Sequence, residues 1–312
     1  MPLFSERWQP LTGLGESTGA FLGLAAPYGE FDPARFCVVS LPYEQTPGGR
    51  AGAKEGPAAI LNASRTVEFF DEENYKSPAR LGIATLEPNL PDLAPDQMAQ
   101  ELQAYGGNIH RAGKRAFYLG GEGWITHGLV RSYLNQYRDL TVLQLDAHPN
   151  LRSQYGDQRF GRMTVMNRLQ EELPITQVGI RSLSEEEANL TDKGNVSTFF
   201  AHDLNNAALK AEVIPQVLEG LSHHVYVSVD LTVFDPALCP ATNLPEPGGL
   251  QWQTVLDILK AVARDRDIVA MDVVECVPLK GHTVTEYVAA RLIYKVMGYL
   301  GQFRQWPEIA LT

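Results

Sequence analysis

The chain of 312 residues is poor in cysteine, in basic charge and in long apolar runs. Its three cysteines, Cys37, Cys239 and Cys276, are odd in number and form no C-x-x-C pair. That argues against a disulfide framework and for a reducing compartment. Lys and Arg total 26 against 37 Asp and Glu, a net charge of -11. Such a balance argues against nucleic acid and against an anionic membrane surface as partners. The longest late apolar run, YVAARLIYKVMGYL, is broken by Arg291 and Lys295 and falls short of the ~20 residues that a bilayer span needs. The opening MPLFSERWQP lacks the apolar core of a signal peptide. A soluble, cytoplasmic protein with no membrane partner is the expectation.

What is present is ordinary globular material, with 44% hydrophobic and 20% charged residues. Apolar runs bounded by turn residues predict strands near 36–44 and over 79–86, 115–121, 140–148, 175–182, 196–204, 224–231 and 267–277. Between them, apolar residues spaced three and four apart predict helices over 98–115, 125–137, 209–221 and 252–265. Alternating strand and helix implies parallel pairing through right-handed crossovers. The near-continuous apolar strands imply helices on both sheet faces. The expected fold is α/β, a three-layer α/β/α sandwich with a parallel sheet of about eight strands. One domain spans 1–312, with 1–35 as an N-terminal extension.

A parallel sheet of this kind does its chemistry beyond the carboxyl ends of its strands. Polar residues gather there: Asp146 and His148, Asp230 and Thr232, Glu275, and the turn GGEGW at 120–124. Side chains two apart on a strand share a face, so Asp146 with His148, and Asp230 with Thr232, can reach one point. Carboxylate and imidazole suit Mn, Zn, Ni or Fe(II). Taken singly, Asp146 also reads as a strand-end cap and His148 as a satisfied core histidine.

In order along the chain, LPYEQTPGGRAGAKEGPAAILNAS (41–64), GGEGWIT (120–126), DAHPNL (146–151), SVDLTVFDPALCPATNLPEPGG (228–249) and MDVVECVP (271–278) resemble the motifs of the ureohydrolase family of arginases and agmatinases. The likeness covers nearly the whole chain and is agmatinase-like in character. It implies hydrolysis of a guanidinium C–N bond at two Mn ions that acidify a bridging water. It also implies a trimer or hexamer, and it makes Glu275 the acid that grips the substrate's guanidinium.

The match departs at the reacting centre. Gly123 stands where the first ligand His belongs, Asn150 and Thr232 stand for Asp, and Arg162 takes the place of the proton-shuttling His. Asp146, His148 and Asp230 remain as a partial metal site. The expected cofactor is therefore none, or at most one divalent ion, Mn first. Two buried carboxylates need a counter-charge or a proton, and Arg162 occupying the metal space is favoured over a single bound ion.

His127, one turn after Gly123, reads as packing rather than as a substitute ligand. Arg181 at the end of its strand is a candidate substrate-binding residue beside Glu275, or a structural one. Asp235 reads as fixing a turn before Pro236, and Cys276 as inert core. Asn243 and Leu244 replace small residues and reshape the pocket wall.

The expected function is a degenerate ureohydrolase relative without agmatinase or arginase activity. It would bind a small molecule or serve as a scaffold or regulatory partner. The alternative is an enzyme of altered chemistry on a guanidino or amine compound, with Arg162 and Glu275 as its catalytic pair. Homo-oligomers, and hetero-oligomers with an active paralogue, are the expected assemblies.

Overall fold

The structure, a computed structural model, describes residues 19–45 and 48–310. Eight parallel strands form one sheet. They are β1 (Phe36–Leu41), β2 (Ile83–Leu86), β3 (Arg115–Gly120), β4 (Leu140–Leu145), β5 (Ile175–Ile180), β6 (Val196–Phe200), β7 (His224–Asp230) and β8 (Asp267–Val274). The helices are α1 (Gly56–Ser64), α2 (Pro95–Arg111), α3 (Ile125–Leu134), α4 (Val165–Leu169), α5 (Glu185–Ala188), α6 (Ala201–Asn205), α7 (Ala207–Glu219), α8 (Trp252–Asp265) and α9 (Val284–Arg304). Spatial strand order is β2-β1-β3-β8-β7-β4-β5-β6. The last two strands thus return to the centre, between β3 and β4.

Burial on both faces explains the apolar strands. Phe36 and Val38 of β1, Leu143 and Leu145 of β4, and Val225, Val227 and Val229 of β7 belong to the core under α1, α8 and α9. Their neighbours Cys37, Val39, Val142 and Tyr226 belong to the opposite core, under α2 and α3. The period of two along each strand sorts the residues between the layers. Residues 19–35 of the expected N-terminal extension also pack on the sheet, with Phe21 fully buried and its N–H donated to Thr85 Oγ1 at 2.8 Å. Residues 1–18 of that extension lie outside the described residues.

All eight predicted strands form, but all except β2 stop earlier than their apolar runs. The 196–204 run turns into α6 after Phe200, and β4 ends at Leu145, before Asp146. The C-terminal apolar run lies within the 21-residue α9, buried over most of its surface. Among the described residues no helix is long and apolar enough to cross a membrane.

Candidate functional site

The four adjacent central strands β3, β8, β7 and β4 end at one place. Their outgoing loops line a narrow cavity that opens to solvent. Gly123, Asp146, His148, Asn150, Arg162, Asp230, Thr232 and Glu275 all face it. Each was singled out by the sequence.

The loop after β4 is organised around Asp146. His148 N–H donates to Asp146 Oδ1 at 2.9 Å, and His148 Nδ1 lies 3.4 Å from the same oxygen. The pair therefore converges through a turn rather than through strand alternation. Thr232 Oγ1 also reaches Asp146 Oδ1, at 3.0 Å. The other oxygen, Oδ2, accepts from Gln144 Nε2 at 2.8 Å and from Asn150 Nδ2 at 2.8 Å. One carboxylate thus meets four hydrogen donors, its usual acceptor capacity.

A buried amide chain sets the direction of this network. Gln177 Nε2 donates to the Pro149 carbonyl at 2.7 Å and to Gln144 Oε1 at 2.6 Å. A carbonyl can only accept, so Gln177 is fixed, and Gln144 must point its NH2 at Asp146. The Gln144 NH2 also donates to the His148 carbonyl at 3.1 Å. Asn150 sits at φ 54°, a conformation asparagine tolerates better than most residues. Its carbonyl accepts from Met166 and Asn167 N–H at 3.1 and 3.2 Å, seating the start of α4 beneath the cavity.

Asp230 ends β7. Its Oδ1 accepts Thr232 N–H at 2.8 Å and lies 2.6 Å from Thr232 Oγ1. Thr232 Oγ1 therefore lies between Asp146 and Asp230 and can give its one hydrogen to either. Burial, then the Asp146 charge, pushes the Asp230 carboxyl up to about 7. Burial opposes a charge on His148, but the hydrogen bond and charge of Asp146, with Asp230 behind it, outweigh burial and raise its pKa.

Glu275 follows β8 at φ 64°, a left-handed conformation costly for such a residue. That turn brings its carboxyl across the cavity, where Oε1 accepts Gly123 N–H at 2.8 Å. Arg162 is 5% exposed. Its Nη1 stands 3.9 Å from Glu275 Oε2, and its Nη2 donates to the Gly48 carbonyl. Burial, then the Asp230 charge, raises the Glu275 pKa against the opposing pull of Arg162. The ion pair of Arg162 is thus with Glu275, whereas the sequence reading had it balance Asp146 and Asp230. Amide and hydroxyl donors and the His148 imidazole surround Asp146 instead.

Arg181 does not line the cavity. Its guanidinium donates to the carbonyls of Gly179, Thr232, Phe234, Glu246 and Pro247, at 2.6 to 3.3 Å. The structural alternative is the place the geometry gives it. His127 stacks on Trp124 at 4.7 Å, and burial pulls its pKa down to about 4. Asp235 caps a turn, accepting from Ala237, Gly248 and Gly249 N–H. Cys276 is fully buried, with its thiol raised well above the ordinary range by burial.

Three polar residues under the site escaped the sequence reading. Gln144 orients Asp146. Asp272, in mid-β8, accepts from Tyr226 and from Ser228, both at 2.8 Å, and burial raises its pKa to about 6. Ser228 itself lines the cavity. The available signal was a polar residue inside a strand that is otherwise apolar on both faces.

Six positions correspond, by resemblance, to metal ligands. Only Asp146, His148 and Asp230 among them carry side chains of the usual ligand types. Among the described residues no group of three or more His, Cys, Asp or Glu side chains is placed to hold a metal ion.

The arginase-family model matches residues 34–298. An N(1)-aminopropylagmatine ureohydrolase of Thermus thermophilus is 35% identical over 286 residues, covering 90% of this chain and 94% of that protein. The enzyme of the same name from Synechocystis is 34% identical, covering 86% and 90%. The crystal structure of agmatine ureohydrolase of Thermoplasma volcanium superposes with a TM-score of 0.81 at 28% identity, covering 88% and 92%. These relatives carry the names of ureohydrolases, so any loss of activity is argued from this chain's own side chains alone. With its eight-stranded parallel sheet and its motifs in family order, the chain belongs to the arginase family of ureohydrolases.

Proposed function

We propose that this chain is a ureohydrolase-family protein whose cavity binds a small molecule without assembling the dinuclear manganese centre. The observation that carries the reading is the hydrogen-bonded state of Asp146. Gln144, Asn150, Thr232 and the His148 amide donate to it together. A metal ion at either oxygen would have to displace donors that the amide chain and backbone hold in place. Asn150 and Thr232, where the resemblance calls for carboxylates, lower the ligand charge from four to two. Gly123 supplies no side chain. This donor set does not fit two divalent ions.

Arg162 supports the same reading. A guanidinium beside Glu275 takes up the acid that the resemblance assigns to substrate, and a fixed positive charge disfavours cations nearby. The reading includes a single domain over 1–312 and assembly into homo-oligomers or mixed oligomers with an active paralogue, which sedimentation after co-expression checks.

The functional test uses protein supplied with Mn and the amines its relatives are named for, agmatine and N(1)-aminopropylagmatine. Urea release at the protein-free rate is expected. Mn-dependent, saturable urea release that is lost on Asp230→Asn would overturn the reading.

A further inference from the structure

Asn243 holds an unusual position in this cavity. It lies in the loop after β7, is 4% exposed, and lines the cavity beside Leu244. Neither its Oδ1 nor its Nδ2 has a hydrogen-bond partner among the described residues. Leaving both ends of a buried amide unmatched is costly. The cost is removed if a ligand supplies the partners.

The surroundings restrict what that ligand is. An ideal Cβ on Gly49 would meet Asn243 Oδ1 at 1.7 Å and Arg162 Nη2 at 3.2 Å. The amide and the guanidinium therefore share one wall, and only glycine fits between them and the chain. Arg162 Nη1 in turn stands 3.9 Å from Glu275 Oε2, which is buried and accepts no hydrogen bond among the described residues. Asn243, Arg162 and Glu275 thus follow one another along the wall. The inner carboxylate, Asp146, is already filled by its own donors.

A guanidinium carries donors only. Placed here it would leave Asn243 Nδ2 unmatched. A carboxylate carries acceptors only and leaves Asn243 Oδ1 unmatched. A neutral ureido or carboxamide group has one carbonyl and adjacent N–H groups. Its carbonyl accepts from Asn243 Nδ2, while its N–H groups donate to Asn243 Oδ1 and Glu275 Oε2. We infer that the cavity takes the neutral ureido or carboxamide end of a small molecule, with Asn243 as the specificity-determining residue. This rests on the proposed reading of the site as a binding pocket without the dinuclear centre.

The test is titration calorimetry of the full chain with two probes of equal length, n-butylurea and n-butylguanidinium. Wild type is expected to bind butylurea about tenfold tighter, and Asn243→Ala to lose about that factor. Asn243→Asp, which offers acceptors only, is expected to reverse the preference. Butylguanidinium binding as tightly as butylurea, no saturation by butylurea at about 50 mM, or an unchanged Asn243→Ala would each overturn the inference. Urea release from agmatine with Mn is assayed on the same preparation. A positive release assay defeats the functional reading, whereas a wrong binding preference without release defeats only the ligand class.

Discussion

Asn150 carries much of the argument at the scale of single residues. Its NH2 lies 2.8 Å from Asp146 Oδ2. Asn150→Asp would set two carboxylates in contact and remove a donor. Without added metal this variant is expected to be about 2–3 kcal/mol less stable in urea unfolding. Equal stability would mean that the Asn150 contact holds nothing in place. Arg162 and Glu275 form a second unit, both almost fully buried. Arg162→Met leaves the Glu275 carboxyl without its cation and should cost about 1–3 kcal/mol, most of it recovered by adding Glu275→Gln. Additive losses in that cycle would show that the two groups do not interact. Joint Gly123→His, Asn150→Asp, Thr232→Asp and Arg162→His tests the substitutions directly. An added Cβ at Gly123 meets nothing closer than 3.7 Å, so the backbone there tolerates a side chain. Mn binding gained by the fourfold variant and absent in wild type is the expected outcome.

At the scale of elements, Arg181 joins the end of β5 to the loop that follows β7. Its guanidinium gathers carbonyls from Thr232 to Pro247, the segment that also carries Asn243 and Leu244. Arg181→Ala orphans those carbonyls and is expected to cost about 2 kcal/mol, with faster amide exchange over 231–247. Unchanged exchange there would place its role elsewhere. The strands were legible in the sequence because burial on both faces leaves continuous apolar runs. Their ends were not: β4 stops where the Asp146 carboxylate takes the His148 N–H and turns the chain, and β6 runs straight into α6. Helix α9 was read only as an apolar run, since Ala289, Leu292, Ile293, Val296 and Leu300 are buried with neighbours on nearly every side and no polar stripe marks the helical period. The cavity residues were legible by motif. The partners they choose were not: the choice of Glu275 by Arg162, and of backbone carbonyls by Arg181, depends on contacts between distant segments.

At the scale of the whole molecule, several buried acids act in the same direction. Asp230 is raised to about 7 and Asp272 to about 6, and Glu275 is raised as well. In the unfolded chain such groups titrate near ~4. Between those values the folded state holds protons that the unfolded state has released. Stability is therefore full below about pH 4 as far as these groups are concerned, and falls as pH rises towards about 7. The raised pKa of His148 adds stability at low pH that is likewise lost on raising pH through its folded value. Unfolding by urea in EDTA at a series of pH values should show this decline, with a flatter profile for Asp230→Asn. A profile rising with pH over the same window would contradict the charge assignment.

The most direct test of the central claim is the metal content of the chain. Protein purified with excess Mn and then desalted is measured by mass spectrometry. The hydrogen-bonded Asp146 and the Arg162–Glu275 pair predict close to no Mn per chain. Two equivalents of Mn, lost on Asp230→Ala, would contradict the account and restore a dinuclear hydrolytic centre.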